Sequence, residues 1–523
     1  MLCYLLAALL VGAPPNPTDA APADTVVVCP ETFRAALSPW LEHRRAQGHA
    51  IAVVDNQGSA AEVRSRIFAA GSAPSLRHVL LVGDAPSVNG NPPNCVATFY
   101  PAARVNVLFG SEPTIASDHL YGDLDTDGVP EIAVGRLPAA SAAELSTMVA
   151  KVLAYEHSVD LGTWRRQINF IAGIGGFGGL TDLALEAATK TILCHSIPAA
   201  YATSMTYASW QSPYCPAPAR FRQTVLDRLN EGSLCWVYMG HGQPQALDTV
   251  QAPDGSHPIL SSRDAPRLRS AHNAPIALFL ACYAGAFDAT GGCLGEDFLR
   301  SSGGPVAVVC GSRVTMPYAM AVLGTEMLDQ WLHARRATLG DVLLHAKRAA
   351  LLGARDDLRS RVLDSVAATI NPLGTDLAEE RAEHVLLFNL LGDPLLRIRH
   401  AELADVTTAA EASPGDTLTI AVHSPIHTGE AVVELVVRRD RTTFDAQQRT
   451  TYDDSPDEQE IYQRQYVRAN DHRLATTTVP VTAEAFQVTI PVPRHAHGPC
   501  HVRVFIRGTD GFGLGAADVN ITR

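Results

Sequence analysis

The sequence predicts an α/β protein in which a largely parallel sheet is followed by an all-β domain. From about residue 25 to 400, short apolar runs alternate with amphipathic helical stretches. This βαβ rhythm is typical of a parallel sheet covered by helices. After residue 400, strand-like segments alternate polar and apolar residues and helical periodicity is scarce. That pattern predicts an antiparallel β-sandwich of roughly 120 residues with an immunoglobulin-like topology.

The α/β region divides into two series of elements, for which we predict subdomains 24–160 and 161–400. The first series has strand candidates at 26–29, 51–54 and 78–82, with helical stretches at 33–47 and 64–70. The second has strand candidates at 168–172, 233–239, 276–281 and 306–310, and a long helical region at 319–365. The two series join near residues 157–166.

The C-terminal region, 401–523, is predicted to be the β-sandwich. Its strand candidates are 417–422, 432–437, 486–490 and 501–506, and a turn at Ser413-Pro414-Gly415-Asp416 precedes the first. Residues 440–470 are charged and rich in glutamine. We expect them to form a long exposed hairpin or loop.

Charge and composition restrict the partners and the compartment. The net charge of -13 argues against nucleic acid, because phosphate binding needs a basic face. An apolar run from Leu2 to Val11, followed by small residues and prolines, predicts a signal peptide over residues 1–23 and a secreted, periplasmic or cell-surface protein, although the usual charged segment before the run is missing. No later run is long enough to span a membrane. The oligomeric state stays open.

Cysteine usage gives a first indication of chemistry. The chain has ten cysteines, and Cys3 falls within the predicted signal peptide. Nine remain, so at least one thiol of an exported protein lacks an internal disulfide partner. No CxxC pair is present, which argues against a structural zinc site.

Two apolar runs end in residues that can carry nucleophilic chemistry. The run 233–239 ends in Gly240-His241-Gly242, and the run 276–281 ends directly in Cys282. The carboxyl ends of parallel strands meet at one edge of a sheet, so His241 and Cys282 are expected to lie together. An imidazole beside a thiol activates it as a nucleophile and then protonates the leaving amine. The backbone N–H groups of Gly242 and Cys282 could hold the oxyanion.

With these two strand ends in view, the sequence resembles the gingipain family in the caspase-like clan of cysteine peptidases. The segments that carry the resemblance, in the family's order, are FRAALSPWLEHRRAQG (33–48), LLVGDAP (80–86), the block from Ser117 to Leu145, KVLAYE (151–156), GGPVAVVCGSR (303–313) and NLLGDPLLRI (389–398). The resemblance implies a caspase-like fold in two subdomains followed by an immunoglobulin-like domain. It also implies peptide-bond hydrolysis through a thioester acyl-enzyme, with Cys282 as nucleophile and His241 as general acid and base.

The resemblance also supplies a third residue and a metal. Glu131, in PEIAVGR, matches a family glutamate near the histidine, and a carboxylate there would orient or charge the imidazole. Asp123, Asp125 and Asp127, followed by Gly128, resemble the first part of a calcium loop, and the family binds calcium structurally. Glu131 cannot readily be both a calcium ligand and the partner of His241, so the two interpretations compete.

The residue that selects the substrate side chain is the least determined part of the site. An acidic pocket would select arginine or lysine, and Glu144 or Asp288 could supply the charge. The substrate class is protein or peptide, and the side-chain preference stays open.

Two other functions compete with an endopeptidase. One is a catalytically inactive caspase-like binding or scaffold protein, against which the intact His241 and Cys282 elements argue. The other is a dinucleotide-binding oxidoreductase, indicated only by Gly173-x-Gly175-x-x-Gly178 after a strand. An acidic residue at the next strand end would be expected for the latter, and Ile197 to Ala200 contains none. We therefore predict no organic cofactor.

Overall fold

The computed structural model describes residues 22–71, 74–86, 92–174, 196–352, 376–446 and 448–522, with residues 361, 363, 365, 367 and 374. Nearly all of the predicted signal peptide, and the part of the glycine-rich loop beyond residue 174, lie outside these residues. The α-helices are α1 (Arg34–Ala46), α2 (Ala60–Ala70), α3 (Ala142–Glu156), α4 (Phe221–Asn230), α5 (Leu294–Arg300), α6 (Pro317–Leu328), α7 (Leu339–Leu352), α8 (Leu377–Leu387) and α9 (Pro456–Ala469). Among the described residues, no helix combines the length and apolarity that a bilayer span requires.

The strands fall into a central sheet, two small hairpins and a C-terminal group. Those of the central sheet and hairpins are β1 (Thr25–Val28), β2 (Ile51–Val54), β3 (His78–Val82), β4 (Ala133–Leu137), β5 (Gln167–Ala172), β6 (Ala202–Tyr207), β7 (Cys235–Met239), β8 (Gly242–Gln243), β9 (Ala246–Leu247), β10 (Thr249–Ala252), β11 (Gly255–Pro258), β12 (Ile276–Leu280), β13 (Ala307–Gly311) and β14 (Phe388–Leu391). Those of the C-terminal group are β15 (Glu402–Leu403), β16 (Asp405–Thr407), β17 (Glu411–Ala412), β18 (Thr417–His423), β19 (Gly429–Val437), β20 (Arg473–Val481), β21 (Ala485–Pro491), β22 (Gly498–Gly508) and β23 (Phe512–Ile521).

Ten strands form one continuous sheet in the order β2-β1-β3-β4-β14-β13-β12-β7-β5-β6. All neighbours are parallel except β13 and β14, which pair antiparallel. The strands from β2 to β14 therefore point one way, and those from β13 to β6 point the other way. The ends of β7, β12 and β13 and the beginnings of β4 and β14 consequently share one edge, which we call the Cys282 edge.

The central strands are buried because both faces of the sheet are covered by helices. Every residue of β1, β3, β12, β13 and β14 is buried, which is the pattern of a parallel sheet with two covered faces. The apolar runs predicted as strands in this region are confirmed. The long helical region is divided into α6 and α7, with a short π-helical segment, Asp329–His333, after α6.

A buried ion network joins three of the segments that carry the family resemblance. The Arg44 guanidinium on α1 lies 2.5 Å from Asp393 and 2.8 Å from Glu156 at the end of α3. The indole N–H of Trp40 donates to the same Asp393 carboxylate at 2.5 Å. Burial raises the pKa of the Glu156 carboxyl, but the hydrogen bond and charge of Arg44 outweigh it and lower the pKa to about 2. Helices α1 and α3 are thereby tied to the loop after β14.

A second buried pair ties the two halves of the sheet together. Arg136 on β4 forms two 2.7 Å hydrogen bonds with the carboxylate of Asp118. Arg136 is opposite Leu391 of β14 in the single bridge between β4 and β14. The backbone N–H of Asp118 donates to the side chain of Asn389, also on β14. The ion pair therefore stands at the joint between the β1–β4 strands and the rest of the sheet.

The C-terminal region consists mainly of β-strands, as predicted. One sheet has the order β15-β23-β22-β19-β20, with β17 pairing β23, and the other has the order β16-β18-β21. Their inward residues, such as Leu418 and Ile420 from one sheet and Val433 and Val504 from the other, form one apolar core. The region is therefore a two-layered sandwich, and its immunoglobulin-like topology stays a prediction.

The expectation of an exposed hairpin or loop over 440–470 is wrong for its second half, which is helix α9. Ser455 caps the helix by accepting from the Glu458 N–H, and Pro456 occupies the first turn. The helix buries Tyr462, Tyr466 and Ala469 on one face. This spacing of four and then three residues gives a narrow apolar stripe, which the surrounding charged residues obscure in the sequence.

Replacing Asp118 with asparagine is expected to lower the free energy of unfolding by about 3 kcal/mol, because it leaves the fully buried Arg136 charge without its counter-ion. Chemical denaturation of both proteins measures the difference. The matched control is Glu379→Gln, since the Arg104–Glu379 pair is 75% and 43% exposed and should contribute under about 1 kcal/mol. Equal effects of the two substitutions would contradict the assignment.

Candidate active site

Strand register brings His241 and Cys282 to the same level on neighbouring strands. β7 and β12 pair in parallel, and the last pair in their register is Met239 with Leu280. Each functional residue follows its strand by two positions. The pairing continues one step beyond the strands, because the Gly240 N–H donates to the Leu280 carbonyl at 3.2 Å. The structure thus brings together the two residues that the sequence singled out.

Gly242 permits a close approach between the two chain segments. A β-carbon built on Gly242 would stand 2.5 Å from the carbonyl oxygen of Cys282 and 2.9 Å from the β-carbon of Ala281. Contacts this short do not occur, so any other residue would push the two segments apart. The glycine after His241 is therefore required for the geometry of the pair.

The chain turns sharply after Cys282. Tyr283 has φ +57°, a left-handed conformation that non-glycine residues seldom adopt. The Ala284 N–H donates to the Cys282 carbonyl at 2.7 Å, and the Tyr283 N–H donates to the Arg313 carbonyl at 3.1 Å. The turn ends the strand at Cys282 and leaves that side chain half-buried at the Cys282 edge. Strain of this kind is common where a structure fixes a reactive group.

The thiol of Cys282 lies against Thr315. The Thr315 N–H donates to the sulfur at 3.3 Å, and the Thr315 hydroxyl oxygen is 3.5 Å from it. The next residue is held in turn, because the Met316 N–H donates to His384 Nε2 at 2.7 Å. Burial lowers the pKa of His384 to about 4, so its imidazole stays neutral and can accept this bond. Thr315 therefore faces the sulfur with one backbone donor and one hydroxyl group.

Cys282 differs from the other cysteines in the described part of the chain. The remaining seven of these, Cys29, Cys95, Cys215, Cys235, Cys293, Cys310 and Cys500, are buried, and all eight are free thiols. Burial raises the pKa of Cys215 and Cys235 to about 12. Because the thiolate is the reactive form, such thiols are inert at neutral pH.

Tyr238, inside β7, is a site residue that the sequence analysis missed. Its hydroxyl donates to the backbone carbonyl of His241 at 2.8 Å and accepts the N–H of Asp248 at 3.4 Å. The phenol therefore fixes the position of the His241 backbone. Its signal in the sequence is weak, because a tyrosine within an apolar strand is usually a core residue.

Glu131 lies in the acidic turn before β4. Its carboxylate accepts the Leu124 N–H at 2.8 Å and groups with Asp123 and Asp125, with one ligand oxygen from each within 4.8 Å of the others. Three strands separate β4 from β7, a distance of about 19 Å at a strand spacing near 4.8 Å. Asp127 instead accepts the Val129 N–H and is not in the group. The structure thus brings Glu131 to the aspartates and not to His241.

The two candidate pocket carboxylates are both engaged elsewhere, which corrects the expectation. Glu144 lies in the first turn of α3, after the end of β4 and thus on the edge opposite Cys282, and it accepts the Ala140 N–H. Asp288 is buried and forms two hydrogen bonds, 2.8 and 2.6 Å, with Arg313. The guanidinium compensates the charge of Asp288, so this carboxylate does not offer an acidic pocket.

Comparison with known proteins identifies the class of protein independently of this site. The sequence profile of Peptidase family C25 matches residues 18–399. The chain therefore belongs to Peptidase family C25, the gingipain family, and is a cysteine-type peptidase.

Solved structures show the same fold at low sequence identity. The crystal structure of the Arg-specific cysteine proteinase gingipain R is 16% identical, with a TM-score of 0.52 over 96% of this chain and 98% of that chain. The complex of the pro- and mature domains of Porphyromonas gingivalis RgpB is also 16% identical, with a TM-score of 0.52 over 95% of this chain and 100% of that chain. No curated protein matches the sequence.

Replacing Thr315 with valine is expected to slow alkylation of Cys282 by roughly tenfold at neutral pH. The substitution removes the hydroxyl, and a hydrogen bond to a charged group contributes about 1.5–3 kcal/mol, while the backbone donor remains. Iodoacetamide labelling at several pH values, read by peptide mass spectrometry, measures the rate and the thiol pKa. Thr315→Ser keeps the hydroxyl and serves as control. If valine and serine label alike, the hydroxyl does not stabilise the thiolate.

Proposed function

We propose that the protein is an endopeptidase whose catalytic dyad is Cys282 and His241. The observation that carries the proposal is the parallel register of β7 and β12, in which Met239 pairs with Leu280 and both functional residues follow by two positions. The strained turn at Tyr283 and the close approach of Gly242 support it further.

The proposed reaction proceeds through a covalent thioester. His241 takes the proton of the Cys282 thiol, and the thiolate attacks the carbonyl carbon of the scissile peptide bond. The oxyanion that forms is held by the backbone N–H groups of Gly242 and Cys282. The intermediate collapses as the C–N bond breaks, and His241 gives its proton to the leaving amine. Water, deprotonated by His241, then hydrolyses the thioester and restores the thiol.

Replacing Cys282 with alanine is expected to abolish peptide-bond hydrolysis, and His241→Ala to lower kcat/KM by at least about 10³-fold. A peptide library sampled by mass spectrometry detects cleavage without assuming a side-chain preference. The matched control is Cys95→Ala, which removes a buried thiol on the opposite edge of the sheet. Thermal melting of each variant separates loss of chemistry from loss of folding.

Two outcomes would reject the dyad. One is cleavage by Cys282→Ala at the rate of the unaltered protein. The other is an unaltered protein that cleaves no library peptide and in which iodoacetamide labels Cys282 no faster than the buried thiols. The second outcome would favour a catalytically inactive scaffold protein. Export through residues 1–23 and the side-chain preference stay predictions.

We also propose that the acidic turn binds a structural calcium ion through Asp123, Asp125 and Glu131. Three carboxylates fit a hard divalent cation, which prefers oxygen ligands. Burial raises the pKa of the Glu131 carboxyl, and the charges of Asp125 and Asp123 raise it further after partial relief by the Leu124 N–H. A cation would relieve this repulsion and stabilise the turn that leads into β4.

Calcium is expected to raise the melting temperature of the unaltered protein, and a chelator to reverse the change, because an ion that binds only the folded state stabilises it. Asp125→Asn should lose this response. Asp127→Asn is the control, because Asp127 lies outside the group and should keep the response. A melting temperature that is indifferent to calcium in the unaltered protein would exclude the site.

A further inference from the structure

The β8–β9 hairpin follows His241 directly, and its second strand lies beside that residue. β8 begins at Gly242, immediately after His241, and pairs antiparallel with β9. The register pairs Gln243 with Ala246 and Gly242 with Leu247. The next cross-strand position is therefore His241 opposite Asp248. Residues directly opposite each other in such a ribbon project to the same face.

The hydroxyl of Tyr238 occupies the place of a direct hydrogen bond between these two residues. It accepts from the Asp248 N–H at 3.4 Å and donates to the His241 carbonyl at 2.8 Å. The position of Asp248 is fixed from its other side as well, because its carbonyl accepts the Ile259 N–H at 3.0 Å. The backbone of Asp248 is thus linked to the backbone of the histidine through the phenol of Tyr238.

The carboxylate of Asp248 lies on the side of β7 away from Cys282. Its Oδ2 atom is 3.5 Å from the point where a β-carbon of Gly173 would stand. Gly173 follows β5 and donates its N–H to the carbonyl of Met239 at 2.8 Å, while β12 flanks β7 on the opposite side. His241 therefore follows a strand flanked by a carboxylate on one side and the thiol on the other.

The charges around this strand end agree with that placement. Burial raises the pKa of the Tyr238 phenol, the hydrogen bond from the Asp248 N–H lowers it in part, and the charge of the Asp248 carboxylate raises it again. The phenol therefore stays protonated and keeps donating to the His241 carbonyl. Tyr238 from β7, Cys282 after β12 and Asp248 after β9 are the titratable groups that these contacts put around the histidine.

We propose that Asp248 is the positioning residue for His241, supplying the carboxylate that orients its imidazole and stabilises its charged form. The inference rests on the proposed dyad. The carboxylate takes no part in the proton transfers. The proton moves only between Cys282, His241 and the leaving amine, as described above. The role that the family resemblance gives to Glu131 is thereby transferred to a residue of the hairpin.

The test compares Asp248→Asn with Asp248→Glu in the full chain. Asparagine keeps the shape and removes the charge, so kcat should fall at least about tenfold while KM stays within about twofold. Loss of the carboxylate removes the charge that stabilises the imidazolium, so the alkaline limb of the kcat/KM profile should move to lower pH by about one unit. Glutamate keeps the charge and should restore that limb.

Two further variants make the test decisive. Asp254→Asn, at the turn of the neighbouring β10–β11 hairpin, should behave as the unaltered protein. Glu131→Gln tests the competing carboxylate, and only the position of its alkaline limb is compared, because Glu131 is also a proposed calcium ligand. If Glu131→Gln shifts the limb and Asp248→Asn does not, the proposal is overturned. It is equally overturned if Asp248→Asn only raises KM, and only for substrates with arginine or lysine before the cleaved bond.

Failure of the dyad and failure of this inference give different results. If Cys282→Ala keeps its activity, the proposed function is lost whatever Asp248 does. If Cys282→Ala is inactive and Asp248→Asn matches the Asp254→Asn control in kcat and pH profile, only the positioning role is lost.

Discussion

The ion pair between Arg136 and Asp118 is the interaction on which the catalytic sheet depends. The guanidinium is fully buried, and besides Asp118 it donates to the carbonyls of Gly83 and Val96 at 3.0 Å. It also stands 5.2 Å from the centre of the Phe287 ring, in the loop that follows Cys282. One charge therefore joins β3, β4 and the loop beside the nucleophile. A buried charge is stable only when its partners are in place, so these segments must assemble together.

This joint matters because the sheet reverses direction beside it. β14 runs antiparallel to β13 and parallel to β4, so the two halves of the sheet are opposed. The start of β4 and the end of β7 consequently share an edge, although three strands separate them. The dyad itself is built within one half, by the parallel pairing of β7 and β12. The other half of the sheet contains the Arg44 network, which binds α1 and α3 to the loop after β14.

The sequence predicted the features that depend on local pattern. The buried strands and the residues at their ends are legible because a parallel strand covered on both faces is a continuous apolar run. Cys282 and His241 were found in this way. Apolar runs do not reveal the direction of a strand within the sheet. The sequence therefore could not show that Glu144 lies on the edge opposite the Cys282 edge. The sequence also could not show that Asp288 forms an ion pair with Arg313, because that pair depends on the contact between two loops.

Asp248 and helix α9 were missed for different reasons. The loop of the β8–β9 hairpin is Pro244-Gln245, which lacks the Asn-Gly or Asp-Gly signal of a tight turn. The position of Asp248 depends on its hydrogen bond to the phenol of Tyr238, and no spacing in the sequence predicts that contact. For α9 the start signals were present in Ser455 and Pro456. The narrow stripe of Tyr462 and Tyr466 did not stand out against a charged background.

Helix α9 also explains how the sheet ends. β6 is an edge strand, and an exposed edge invites pairing with other chains. The side-chain amide of Asn470, just after α9, accepts the N–H of Met205 at 2.6 Å and donates to its carbonyl at 3.0 Å. This is the hydrogen-bond pair that a neighbouring strand would make. Tyr466 adds a 2.8 Å bond to Thr206 on the same strand. Helix α9, which lies between two strands of the β-sandwich, therefore covers the edge strand β6. The C-terminal domain thus helps to prevent further strands from pairing with the catalytic sheet.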